Sequence, residues 1–162
     1  MEKVLVTGGS GYIAQHCIVE LLKKGYSVKT SLRSENREAE VRQAIAKEVE
    51  AKNNLEFCIL NLLKDEGWDE AVAGCTYVLH VASPLTDKAP DDENEIIQPA
   101  KEGLLRALKS SIKNKIKRFV MTSSFSRSNL QNSKLFLAST SLAIACLTSA
   151  SRFSERNEVF TE

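Results

Sequence analysis

The chain has no surplus charge of either sign. Lys and Arg number 22 against 21 Asp and Glu, a net charge of +1. That balance argues against a nucleic-acid partner, because proteins that bind by neutralising phosphates carry a basic excess. No uninterrupted apolar run reaches the roughly 20 residues that span a bilayer, so no membrane partner is expected. Met1-Glu2-Lys3-Val4-Leu5-Val6-Thr7 enters a strand pattern at once, which leaves no room for a secretory signal. The four cysteines, Cys17, Cys58, Cys75 and Cys146, include no pair at metal-ligand or redox spacing. His16 and His80 have no carboxylate or cysteine at ligand spacing, so no metal site is expected. These absences predict a reduced, cytoplasmic setting. Internal repeats and linkers between domains are missing as well.

What is present is a rhythm. Hydrophobic residues make up 43% of the 162 and charged residues 27%, ordinary values for one globular domain with a core. Short apolar strands are expected at Val4–Val6, Tyr26–Leu32, Leu55–Leu60, Tyr77–Val81 and Arg118–Thr122. Between them, helical spacing runs through Ile13, Cys17, Leu21 and Leu22, with Gly25 as the stop signal. A charged helix over Arg37–Ala51 buries Val41, Ile45 and Val49, and a short one covers Trp68–Val72. After a polar loop, Pro84–Asp92, a long helix carries Ile96, Ile97, Ala100, Leu104, Leu105, Leu108 and Ile112. Alternation of this kind predicts an α/β fold in three layers, a doubly wound parallel sheet with right-handed crossovers. The expected strand order is 3-2-1-4-5, with the switch point between strands 1 and 4.

The sharpest local signal is Thr7-Gly8-Gly9-Ser10-Gly11-Tyr12-Ile13-Ala14, between the first strand and the first helix. Gly8 permits the tight turn, Gly11 leaves space for a pyrophosphate, and Ala14 lets the helix approach the sheet. The helix N-terminus then offers N–H groups and partial positive charge to phosphates. An NAD site usually carries an acidic residue at the end of the second strand, for the ribose 2′-hydroxyl. Here the segment is Leu32-Arg33-Ser34, with a further base at Arg37. A guanidinium suits a 2′-phosphate, so NADP (NADPH) is favoured over NAD.

These residues resemble the extended short-chain dehydrogenase/reductase superfamily, of the NAD-dependent epimerase/dehydratase type. The nearest likeness is to dihydroflavonol-4-reductase-like and cinnamoyl-CoA-reductase-like NADP-dependent reductases. It is carried by the glycine string, Leu32-Arg33, Gly74-Cys75-Thr76, Val78-Leu79-His80-Val81-Ala82-Ser83-Pro84, the helix start Glu95–Gly103, and Lys117–Ser124. The likeness covers roughly residues 2–124. It implies a Rossmann-like fold, a bound NADP and reduction of an aldehyde or ketone to an alcohol.

Carried over residue by residue, the resemblance places Gly8, Gly11, Tyr12 and Ile13 at the pyrophosphate and Arg33 at the 2′-phosphate. Asn61 and Leu62 fall where the family has an Asp-Leu pair that meets the adenine amino group. Ala82, Ser83 and Pro84 fall beneath the nicotinamide-side ribose. Glu102-Gly103 stands where Asn-Gly is common. Ser124, or its neighbour Ser123, matches the catalytic serine, but the family's Tyr-x-x-x-Lys is absent. The tyrosines are Tyr12, Tyr26 and Tyr77, all upstream, and Leu130 stands in place of the tyrosine before Ser133-Lys134.

After Ser124 the pattern stops, as in a truncated, spliced or frame-shifted reading frame. Residues 1–124 read as the NAD(P)-binding domain, and 125–162 as a divergent Ser-rich tail and no separate domain. Leu135–Leu147 is apolar enough for one helix over the sheet edge. An uncovered edge would favour self-association. Lys109, Lys113, Lys115, Lys117 and Arg118 gather at the end of the long helix, where the dipole favours cations; an anionic partner is the lesser reading. Two functions follow. One is the NADP-binding half of a carbonyl reductase with a small-molecule carbonyl substrate, inactive alone. The other is a non-catalytic NAD(P)-binding module acting through a protein interaction.

Overall fold

The computed structural model describes residues 1–84 and 94–122, and beyond them a strand at Leu147–Thr148. The elements are β1 (Lys3–Thr7), α1 (Tyr12–Lys23), β2 (Ser27–Leu32), α2 (Glu38–Ala46), β3 (Leu55–Ile59), α3 (Trp68–Val72), β4 (Tyr77–His80), α4 (Asn94–Lys113), β5 (Arg118–Met121) and β6 (Leu147–Thr148). Their order across the sheet is β3-β2-β1-β4-β5-β6. The first five strands are parallel, in the arrangement that alternation predicts. This is a Rossmann-like doubly wound sheet between two helical layers. Among the described residues, no helix is long and apolar enough to cross a membrane.

Because successive side chains leave a strand on opposite faces, β1 feeds two cores. Val4 and Val6 pack with Ile18 of α1, Val28 of β2, and Val41 and Ile45 of α2. Leu5 points the other way, into Trp68 and Val72 of α3, Val78 of β4, Ala107 of α4 and Phe119 of β5. Each fully buried aliphatic side chain contributes about 1.5–3 kcal/mol. The first helix ends in a Schellman motif. Gly25 takes φ +83°, its N–H reaches Leu22 O at 3.0 Å, and Tyr26 N–H reaches Leu21 O at 3.1 Å.

Four expectations need correction. Helix α1 buries Ala14, Ile18 and Val19, while Ile13 is exposed, because the first turn of α1 stands at the rim of the sheet. Helix α2 stops at Ala46 rather than Ala51. Glu48 and Glu50 follow, where carboxylates oppose the negative end of the helix dipole. Helix α4 turns Gly103, Ala107, Ser110 and Ser111 inward and leaves Ile97, Leu105 and Ile112 exposed. The small residues let it lie close: a Cβ at Gly103 would sit 3.3 Å from Leu62 Cβ. Finally, Leu147 belongs to a strand and not to a helix. It pairs with Phe119, and Thr148 with Arg118, so β6 runs antiparallel along part of the otherwise unpaired edge of β5.

The basic cluster at the end of α4 is partly spoken for. Lys113 pairs with Asp69, holding that carboxyl below its ordinary range, and Lys117 pairs with Glu2. The polar loop after Pro84, residues 85–93, lies outside the described residues. So do Ser123, Ser124, Leu130, Ser133-Lys134 and all of 125–162 except β6.

Candidate functional site

Doubly wound sheets form a crevice at the carboxyl ends of their strands, where the chain order reverses. Here that point lies between β1, which pairs with β2 on one side, and β4 on the other. The turn from β1 into α1 occupies it. Gly8 takes φ +77°, a region that disfavours side chains, and a Cβ there would stand 3.0 Å from Ala82 Cβ. Gly11 caps the helix with extended backbone and no side-chain bond, and its own N–H donates to Gly8 O at 2.8 Å.

The amide hydrogens of this turn divide into two groups. Gly8 N–H donates to Ser31 Oγ at 3.1 Å and Gly9 N–H to Ser31 O at 2.9 Å, so β2 grips the turn from outside. The N–H groups of Tyr12, Ile13 and Ala14 have no acceptor among the described residues, as the first turn of a helix dictates. No acidic residue stands in that turn. A side-chain-free surface, open amides and the positive end of α1 suit a pyrophosphate. Tyr12 and Ile13 are 79% and 57% exposed, beside those amides.

At the end of β2, Arg33 is exposed and takes part in no ion pair among the described residues. Arg37 is different. Its guanidinium holds Glu40 through Nε at 2.7 Å and Nη2 at 3.1 Å, and is therefore engaged. Ser34 Oγ accepts from Asn36 N–H at 3.4 Å and shapes the bend between the two arginines. At the end of β3, Asn61 is exposed and its side-chain carbonyl already accepts Leu63 N–H at 2.9 Å. Leu62 is buried in the core against α4, with its carbonyl bound by Arg106 at 3.0 Å. Ala82 and Pro84 are half-buried and Ser83 exposed, just beyond β4. The site residues named from sequence therefore lie along one edge of the sheet, Ser124 excepted, which lies outside the described residues.

Sequence reasoning assigned no site role to four residues of this edge. Thr7 Oγ1 accepts N–H groups from Val81 at 3.0 Å and Ala82 at 3.1 Å, and lies 3.1 Å from His80 Nδ1. His80 is 6% exposed, stacked on Phe119 and tilted against Trp68. Burial pushes its pKa down to about 4. Ser31 holds the turn as described, and Gly9 packs on Thr30. Buried hydroxyls at the end of apolar strands were the available signal, because such groups need partners. The described cysteines are not activated: burial pushes the thiols of Cys17, Cys58 and Cys75 up. Among the described residues no cluster of His, Cys, Asp or Glu has the makings of a metal site.

Comparison with known proteins agrees with this geometry. Dihydroflavonol 4-reductase of Dianthus caryophyllus is 39% identical over 130 residues, covering 80% of this chain and 36% of that protein. A putative anthocyanidin reductase of Ginkgo biloba is 40% identical over 131 residues, covering 80% and 38%. Among solved structures, yeast methylglyoxal/isovaleraldehyde reductase complexed with NADPH superposes with a TM-score of 0.64 at 29% identity. That match covers 75% of this chain and 37% of the other. The chain thus spans little more than a third of the length of such relatives. Residues 4–132 match the model of the NAD dependent epimerase/dehydratase family, a span that holds the glycine turn and the five parallel strands except Lys3 at the start of β1. The chain belongs to that family.

Proposed function

We propose that this chain is the NADP-binding half of a carbonyl reductase, taking NADPH in preference to NADH. The observation that carries the reading is Arg33, an exposed base with no ion pair among the described residues, at the end of β2, where an NAD site would hold an acid. The similarity to dihydroflavonol 4-reductase, and to a yeast reductase solved with NADPH, supports it. In this reading the open amides of Tyr12, Ile13 and Ala14 receive the pyrophosphate, and Gly8 and Gly11 keep its path clear. Arg33 pairs with the 2′-phosphate. Asn61 and the backbone of Leu62 border the adenine, and Ala82, Ser83 and Pro84 support the ribose nearest the nicotinamide. The bound cofactor supplies hydride to the carbonyl carbon of an aldehyde or ketone.

The carbonyl oxygen then needs a proton. No tyrosine follows Tyr77 in these 162 residues, and Tyr77 itself donates to Glu2 Oε1 at 2.8 Å, which pushes its pKa up. Ser124 offers a hydroxyl, a poor acid without a partner. The same missing Tyr-x-x-x-Lys favours a second reading, a non-catalytic NAD(P)-binding module acting through a protein interaction. Titration calorimetry with NADPH and NADH tests the cofactor assignment. Tighter binding of NADPH is expected, and equal affinity for the two would overturn it.

A further inference from the structure

We infer that His80 and Thr7 form a positioning pair that fixes the backbone after β4 against the glycine turn; the inference rests on the cofactor reading given above. The argument begins with a count of protons. A hydroxyl has one hydrogen to give and two lone pairs to accept with. Thr7 Oγ1 accepts two N–H groups, from Val81 at 3.0 Å and Ala82 at 3.1 Å, so both lone pairs are engaged. Among the described residues its own hydrogen then has one polar neighbour within reach, His80 Nδ1 at 3.1 Å. That nitrogen must accept. The imidazole is therefore neutral and carries its hydrogen on Nε2.

The consequence reaches the site through two contacts. Thr7 immediately precedes Gly8, and Ala82 is the residue whose Cβ walls the Gly8 turn: a Cβ on Gly8 would lie 3.0 Å from it. The Thr7 hydroxyl thus ties the two sides of the crevice together, with the turn on one side and the Ala82–Pro84 segment on the other. His80 orients that hydroxyl from below. Phe119 stacks on its ring at 6.0 Å and Trp68 tilts against it at 6.2 Å, so the ring has a fixed plane. His80 touches no part of the proposed cofactor path; it acts through Thr7.

The test uses the 162-residue chain in three variants, Thr7→Val, Thr7→Ser and His80→Phe. Long-range 15N–1H spectra of the unaltered protein at neutral pH should show His80 with its hydrogen on Nε2; a hydrogen on Nδ1 would overturn the inference. Amide exchange at Val81 and Ala82 should speed up at least tenfold in Thr7→Val and in His80→Phe, while Thr7→Ser keeps it slow. NADPH affinity should fall about tenfold in the first two and stay within threefold in Thr7→Ser. Unchanged exchange and affinity in His80→Phe would show that the ring only fills space. Should Thr7→Val not fold, His80→Phe still decides, since phenylalanine suits the pocket between Phe119 and Trp68. If the unaltered chain binds no NADPH, the cofactor reading fails, and the spectra and exchange rates still judge the pair on their own.

Discussion

Gly9 and Thr30 pack so closely that a Cβ on Gly9 would overlap the Thr30 hydroxyl and stand 3.0 Å from its Cγ2. Thr30 cannot swing aside cheaply, since its Oγ1 donates to Val6 O at 2.9 Å inside the sheet. Gly9→Ala is therefore expected to destabilise the fold by about 1–3 kcal/mol, the usual cost of overpacking. Urea unfolding of Gly9→Ala, Thr30→Ala and the double variant checks this. The double variant should lose less than the two single losses added together, and strict additivity would contradict the contact.

Replacing Arg33 by Asp should weaken NADPH binding by roughly ten- to a hundred-fold, the effect of losing a charge-assisted contact worth about 1.5–3 kcal/mol. Arg37→Ala should change it little, because Glu40 already holds that guanidinium. Calorimetric titration of both variants against NADPH gives the answer. A large effect at Arg37 with none at Arg33 would exchange their assignments.

Acid should weaken the fold through His80. Its pKa falls from the ordinary 6.5 to about 4 on burial, so the unfolded chain takes up a proton in that interval and the folded one does not. The stability from the neutral ring is complete above pH 6.5 and drains away as pH falls toward 4. The loss is about 3 kcal/mol in all. Unfolding free energies of the unaltered chain and His80→Phe, measured from pH 7.5 to 4, should diverge in slope over that window. Parallel curves would mean that the histidine is solvated.

Carbonyl reduction by the 162 residues alone should stay near the rate of free NADPH. Positioned acid catalysis contributes about 10²–10⁴ in rate, and these residues hold no Tyr-x-x-x-Lys to supply it. Following NADPH absorbance with a panel of aldehydes and ketones tests this directly. Robust turnover abolished by Ser124→Ala would show that another group in the chain donates the proton.

The parts of the structure legible in the sequence are those where one local pattern decides the outcome. Strands β1 to β5 fell within one or two residues of their expected limits, since a buried parallel strand is a short apolar run between polar breaks. The glycine turn was legible for a similar reason, because positive φ at Gly8 leaves few alternatives. Helix faces were read less well. Periodicity marks Leu104 and Leu108, which do pack on the core, but α4 buries Gly103, Ala107, Ser110 and Ser111 more deeply, with Gly103 close against Leu62. The roles of Thr7, Ser31 and His80 are not legible in the sequence because they come from partners 23 to 75 positions away. The antiparallel β6 has two residues and no periodicity to announce it.

The grip of Ser31 on the turn has one more consequence. With the amides of Gly8 and Gly9 already bonded to β2, the loop is shaped by folding itself and not by the arriving ligand. A preorganised receptor of this kind avoids the conformational entropy that a floppy loop surrenders at the moment of capture. Its association rate is then governed by encounter and desolvation, and point changes in Ser31 would register first as slower association, ahead of any change in the contacts that hold the phosphates.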